Sequence, residues 1–153
     1  MTSKILLPHD GTEISDKALE KSKEFAKAFN AELYIFHVIG HSPLPPSLIL
    51  DNDRQWIAES RRNIAKKLKE GWLKMAKEKI SPVLEKENIK FNITVSTDEQ
   101  PISEQIVKFA SENKIDLIII GSQRLSEIPR IKALGSVSRK VSENVDCPIM
   151  IIH

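Results

Sequence analysis

The chain has a single cysteine, Cys147, so no intrachain disulfide can staple it. Cys147 sits in Val145-Asp146-Cys147-Pro148-Ile149 with no CxxC partner, which fits a reducing compartment. Long hydrophobic runs are missing too: Met1-Thr2-Ser3-Lys4 leads only into Ile5-Leu6-Leu7 before Pro8, too short for a signal segment or a membrane span. The expectation is a cytoplasmic protein with no membrane partner. Charge of one sign is also lacking, because 23 Lys+Arg against 21 Asp+Glu leave a net charge of +2, which argues against a nucleic-acid partner. No Gly-x-Ser-x-Gly elbow, Walker A sequence or GxGxxG fingerprint occurs, so the hydrolase, P-loop and dinucleotide signals are absent. His9, His37, His41 and His153 lack metal-ligand spacing, and no metal site built from protein ligands is expected.

What is present is enough to fold. Leu, Ile, Val and Phe make up 46 of 153 residues, about 30%, which excludes disorder and suits one domain over residues 1–153. Short apolar runs alternate with charged stretches of helical length. The runs Lys4–Pro8, Glu32–Ile39, Lys90–Val95, Asp116–Ile120 and Pro148–Ile152 read as five strands, and the unbroken apolarity of Leu117–Ile120 suits a strand covered on both faces. Helical stripes lie between them: Ala18, Leu19, Ser22, Phe25, Ala26 and Phe29; then Ile57, Ile64, Leu68, Trp72, Met75 and Ala76; then Ile102, Ile106, Val107 and Ala110; then Val137, Val141 and Val145.

With only five glycines, other residues must end the helices. Asn30, Asn88, Asn113 and Asn144 each follow a helical pattern just before the next strand, and Asn is the usual substitute for Gly at a left-handed helix terminus. Repeated βα punctuation predicts an open, doubly wound α/β protein: a parallel sheet with helices on both faces. Ser81-Pro82 predicts a bend in the long helical pattern spanning 52–87, and Ser42-Pro43-Leu44-Pro45-Pro46 a stiff loop after the second strand. The basic run Arg61, Arg62, Lys66, Lys67, Lys69 and Lys74 alternates with acids and reads as a solvated helix face, while Trp56 and Trp72 read as core or interface anchors. The last strand, Pro148–Ile152, has almost no gatekeeping charge, so it invites pairing with its copy in a homodimer.

Open α/β sheets bind ligands outside the carboxyl ends of their strands, which nominates Pro8–Thr12, Gly40–Asp51, Ser96–Pro101 and Gly121–Leu134. The last connection is far longer than usual and delivers Gly135-Ser136-Val137-Ser138 to a helix start, with Ser136 as candidate N-cap. Free amides and the helix dipole there would suit an anion; equally, Gly135-Ser136 could simply begin a helix. Gly121 could relieve a turn. Asp10 could be a turn or cap residue, or a ligand group at the end of the first strand.

Lys4-Ile5-Leu6-Leu7-Pro8-His9-Asp10-Gly11-Thr12-Glu13, Ala31-Glu32-Leu33 through His37-Val38, Asp116 to Ser122, Gly135-Ser136-Val137-Ser138-Arg139-Lys140-Val141 and Cys147-Pro148-Ile149-Met150-Ile151-Ile152 together resemble the universal stress protein family, over essentially the whole chain. The resemblance implies a five-stranded parallel sheet of order 3-2-1-4-5, a homodimer, and in one subgroup an ATP pocket marked by G-x2-G-x9-G-[ST]. It implies that Asp10 faces ribose or adenine, that Val38 meets adenine through its backbone, and that Ile120 and Gly121 line the nucleotide. Gly135, Ser136 and Val137 would hold the phosphates of ATP or AMP, with Mg2+ or Mn2+ carried among those phosphates. Arg124 departs from this pattern, replacing the second motif glycine, and Leu125–Leu134 is one residue too long. An arginine there either blocks the pocket or supplies a forked cation for polyphosphate. The functional expectation is a nucleotide-responsive regulator of the stress response with an unidentified protein partner, catalytically slow at most; the alternative is a nucleotide-independent dimeric scaffold.

Overall fold

Ile5, Leu6 and Leu7 are three consecutive residues with no exposed surface, which a strand achieves only when both its faces are covered. They form the centre of β1 (Lys4–Pro8) in the computed structural model, which describes residues 2–40, 53–122 and 134–153. The chain continues through α1 (Glu13–Phe29), β2 (Glu32–Val38), α2 (Arg54–Lys79), α3 (Ser81–Lys86), β3 (Phe91–Ser96), α4 (Ile102–Glu112), β4 (Leu117–Gly121), α5 (Ser136–Asn144) and β5 (Ile149–Ile152). The strands are parallel and ordered β3-β2-β1-β4-β5, with Ile5 opposite Leu33 on one side and Leu117 on the other. Fold class and strand order agree with the expectation, and the strand limits shift by at most one residue.

Strand periodicity divides the core in two. Ile5, Leu7, Leu33, Ile35 and Ile119 pack against α1, α2 and α3 through Ala18, Leu19, Ala26, Ala76 and Leu84. Leu6, Phe36, Val38, Ile118 and Ile120 pack on the opposite side against Ile106 and Ala110 of α4 and Val141 of α5. Each buried Ile or Leu contributes roughly 1.5–3 kcal/mol of transfer free energy, so this central layer carries much of the stability. Asp116 ties its near end: Oδ2 accepts from Ser3 N, Ser3 Oγ and Lys4 N, each at 2.9 Å. Those bonds, the Ser3 amide first, hold the carboxyl below the usual carboxylate range despite some burial.

Helix ends follow the asparagine expectation at two positions of four. Asn30 and Asn88 adopt left-handed backbone, with φ of 51° and 54°. Each is followed by a buried residue whose amide reaches back five residues: Ala31 N to Ala26 O at 2.9 Å, and Ile89 N to Leu84 O at 3.0 Å. Asn113 and Asn144 do otherwise, because their side-chain amides donate to carbonyls four residues back, Phe109 O at 2.9 Å and Lys140 O at 2.7 Å. After Asn113, Lys114 takes the left-handed turn with φ 52°, and Ile115 N closes on Ala110 O at 3.0 Å.

The bend near 81 is present: α2 ends at Lys79, Ile80 bridges, and α3 starts with Pro82 in its first turn. The stripe expected along α2 is buried only in part. Ala65 and Ala76 are buried, whereas Trp56, Ile64 and Leu68 are exposed by 69%, 58% and 52%. Length explains this: 26 helical residues span about 39 Å, whereas the six residues of β3 beside them span about 20 Å, so α2 outruns the sheet.

Candidate functional site

The strand order places the switch point between β1 and β4, where the chain's progress across the sheet reverses direction. A cleft opens there, at the carboxyl ends of β1, β2 and β4. Pro8, His9, Asp10 and Ser15 form one side, Phe36, His37 and Val38 a second, and Ile120 and Gly121 the third; Ile102 and Ile106 of α4 and Val137 of α5 close it. Its walls are mostly apolar, with His9, Asp10, Ser15 and His37 as the polar residues among them, the usual make-up of a small-molecule site.

Asp10 owes its position to the turn into α1. Gly11 adopts φ 84°, which a side chain would resist, and Thr12 caps the helix by accepting from Ser15 N at 3.3 Å. The same turn surrounds one carboxylate oxygen. Asp10 Oδ1 accepts from Thr12 N at 3.0 Å and from the hydroxyls of Thr12 and Ser15, each at 2.5 Å. Oδ2 has no partner among the described residues. Burial raises the carboxyl's pKa, but the hydrogen bonds from Ser15 and Thr12 outweigh it and leave the group below the ordinary carboxylate range.

His9 and His37 lie beneath the cleft. His9 is buried; its Nδ1 accepts from Gly11 N at 3.1 Å, so its proton sits on Nε2, 3.0 Å from Asp16 Oδ1. The His9 carbonyl accepts from His37 Nδ1 at 2.6 Å. Trp72 of α2 stacks on His37 with ring centres 4.6 Å apart and 3° between planes, and meets His9 edge-on at 6.1 Å. Burial holds the His37 pKa below the ordinary histidine value, overcoming the opposing effect of the bond to His9 O.

Val137 brings the start of α5 into the same cleft. The cap is Gly135, in extended backbone with ψ 152°, and Ser136 is the first helical residue, so the expected Ser136 N-cap is corrected by one position. No side chain caps this helix, and the amides of Ser136, Val137 and Ser138 have no partner among the described residues. Their direction is set from behind. Ser122, buried at the end of β4, accepts from Gly135 N at 3.0 Å, and the buried Ser138 hydroxyl lies 2.9 Å from Ser122 Oγ and 3.0 Å from Gly135 O. The Ser122 amide donates to Ile152 O of β5 at 2.8 Å.

Gly121 has a packing reason in addition to its place in the wall. A Cβ there would lie 2.4 Å from Ile14 Cγ2 and 3.0 Å from Ile14 O, so α1 rests directly on it. Of the residues nominated from sequence, Asp10, Val38, Ile120, Gly121 and Val137 line the one cleft, and Gly135 and Ser136 adjoin it through Val137. Arg124, and with it the departure at the second motif glycine, lies outside the described residues. The sequence reading missed Phe36, Ile102 and Ile106, although strand alternation puts Phe36 on the same face as Val38, which the family resemblance had nominated. Thr12 and Ser15 were missed as partners of Asp10; their signal was the cap spacing Thr12-x-x-Ser15 directly after a strand.

This is a doubly wound parallel α/β protein with a cleft at its switch point. The chain matches the model of the universal stress protein family over residues 1–153 and belongs to that family. Universal stress protein YxiE of Bacillus subtilis is 33% identical across 100% of both chains. The solved structure of MJ0577 from Methanocaldococcus jannaschii is 26% identical, with a TM-score of 0.73 over 99% of this chain and 96% of that one. The universal stress protein of Archaeoglobus fulgidus solved in complex with dAMP shares the fold, at 18% identity and a TM-score of 0.60 over 100% and 98% of the two chains. Among the described residues no helix is long and apolar enough to cross a membrane, and no group of three or more His, Cys, Asp or Glu could hold a metal ion.

Proposed function

We propose that the cleft binds an adenine nucleotide, ATP or AMP, and that the chain works as a nucleotide-responsive cytoplasmic regulator. One observation carries this reading: Asp10, whose Oδ2 has no partner among the described residues, the end of β2 at Val38, and Val137 in the first turn of α5, whose amides are likewise unbonded among the described residues, line one cleft. An ionised carboxylate accepts from ribose or base donors, the apolar wall of Val38, Ile106 and Ile120 covers a purine, and helix amides take phosphate. The dAMP complex of the A. fulgidus relative supports the choice of base. A divalent cation, Mg2+ or Mn2+, would ride on the phosphates, because the described residues supply no ligand set for one.

The cleft is equipped to bind rather than to turn over. Both His9 nitrogens are engaged and Asp10 Oδ1 already takes three donors, and the Asp10 Oδ2 that stays open is the oxygen this reading gives to the nucleotide rather than to water. Slow hydrolysis is the most this arrangement supports. The half-buried edge strand β5 is the surface we assign to pairing with a second copy, and the nucleotide would bias which protein partner the dimer meets.

Isothermal titration with ATP, AMP and adenosine, together with extraction of nucleotide from purified protein, tests the reading. Saturable heat with AMP or ATP is expected. No extracted nucleotide and no heat at millimolar ATP would overturn it and leave the scaffold reading.

A further inference from the structure

We propose that Ser15 is a positioning residue for the Asp10 carboxylate: by clamping Oδ1 it leaves Oδ2 as the single oxygen that a ligand can use. The proposal rests on the reading of the cleft as a nucleotide site, but its geometry is independent of it. Ser15 is buried, in the first turn of α1, and makes a two-way contact with Asp10: its hydroxyl donates to Oδ1 at 2.5 Å, and its oxygen accepts from the Asp10 amide at 3.2 Å. That pairing fixes backbone and carboxylate relative to each other. Thr12 completes the clamp from the exposed side, donating both its amide and its hydroxyl to the same oxygen.

The consequence is selectivity by chemical type. A carboxylate with one saturated oxygen and one open oxygen offers acceptor capacity only, in one direction, so it favours a ligand that brings a hydrogen-bond donor, such as a ribose hydroxyl, and disfavours a second anion. Without Ser15, burial would act on the carboxyl with less opposition, and a fraction of it would become protonated and rotate. Ser15 is part of the cleft wall, but its hydroxyl proton is committed to Asp10 Oδ1.

Two measurements decide the matter. In ligand-free protein, the Asp10 carboxyl carbon is followed by NMR through an acid titration. Wild type should stay ionised to the low end of the folded range, Ser15→Ala should titrate within or above the ordinary carboxylate range, and Thr12→Ser, which keeps both donors, should resemble wild type. In the second measurement, AMP and adenosine affinities are read against pH. Ser15→Ala should weaken both about tenfold near neutral pH and move the acid limb upward, and Asp10→Asn should abolish that limb. Ser15→Cys fills nearly the same space with a weak donor and should follow Ser15→Ala, which guards against a packing artefact. An unchanged Asp10 titration in Ser15→Ala, or an unchanged affinity and acid limb, overturns the proposal. Wild type that binds neither ligand would overturn the nucleotide reading instead, and the ligand-free titration would still decide the role of Ser15.

Discussion

Replacing Gly121 by alanine tests how closely the site and the fold share their packing. The added methyl would lie 2.4 Å from Ile14 Cγ2, 3.0 Å from Ile14 O and 3.1 Å from its carbonyl carbon. Ile14 is only half-buried and its side chain can rotate away, but its backbone cannot retreat unless the first turn of α1 moves. Overpacking of this kind costs about 1–3 kcal/mol, and the backbone contacts place Gly121→Ala in the upper half, about 2–3 kcal/mol. For a domain of 153 residues that lowers Tm by about 4–12 °C. The displaced turn carries Thr12 and Ser15, so affinity for AMP should fall together with stability. Denaturant titration of wild type, Gly121→Ala and the double variant Gly121→Ala/Ile14→Ala supplies the comparison: removing Cγ2 should restore part of the loss, and the carbonyl contacts should keep the rest. The contrasting control is Gly71→Ala, where the new methyl meets nothing within 4 Å inside α2 and should stabilise by about 0.5–1 kcal/mol. A Gly121→Ala protein within about 0.5 kcal/mol of wild type would refute the reasoning, since that is the scatter of neutral surface changes.

Other outcomes follow from particular contacts. Asp116→Asn should cost about 1–2 kcal/mol near neutral pH, because a neutral amide oxygen in place of Oδ2 accepts the Ser3 and Lys4 bonds without the negative charge that strengthens them; urea titration reads it. The Asp116 carboxyl is depressed in the folded state, so its contribution is full above the ordinary aspartate value and fades as pH falls through the folded one; the variant should lose that acid dependence. In a Trp56→Phe background, Trp72 emission should be quenched on acidification as the stacked His37 acquires its proton, with a midpoint below the ordinary histidine value; a midpoint at or above it would contradict the burial argument. The same depression makes neutral His37 a stabilising state that is complete above the ordinary histidine value and lost as pH falls toward the folded one, so His37→Phe should flatten stability over that interval. Gly135→Val should weaken ATP at least tenfold and adenosine little, because it obstructs the approach of phosphate to the α5 amides; equal losses for both ligands in a titration would speak against a phosphate role for that turn.

How much of this was legible beforehand depended on the range of the interaction involved. Strands announced themselves because Ile5-Leu6-Leu7 and Ile118-Ile119-Ile120 must be buried on both faces, a property written in consecutive residues. Asn30 and Asn88 were readable because a left-handed terminus favours asparagine locally. Asn113 and Asn144 were misread since the same side chain can bond a carbonyl four residues back, and Lys114 takes the turn because buried Ile115 fixes the backbone, which is a tertiary cause. At the site, Asp10, Gly121 and Val137 were reachable from strand ends and helix starts, and Val38 only through the family resemblance. Ile102 and Ile106 were not, because only the crossover of α4 brings them over β1 and β2. The stacking of His37 on Trp72 likewise requires α2 to cross the sheet, and no spacing in the chain encodes it.

Ser122 gives the architecture a mechanical consequence. Its amide supports the final rung of the outermost strand, at Ile152 O, while its hydroxyl fixes the opening turn of the last helix, at Gly135 N. The backbone and side chain of one buried residue therefore pin the end of the sheet's edge strand to the start of the last helix. A displacement at Ile152 thus has a route of one residue and two hydrogen bonds to Gly135.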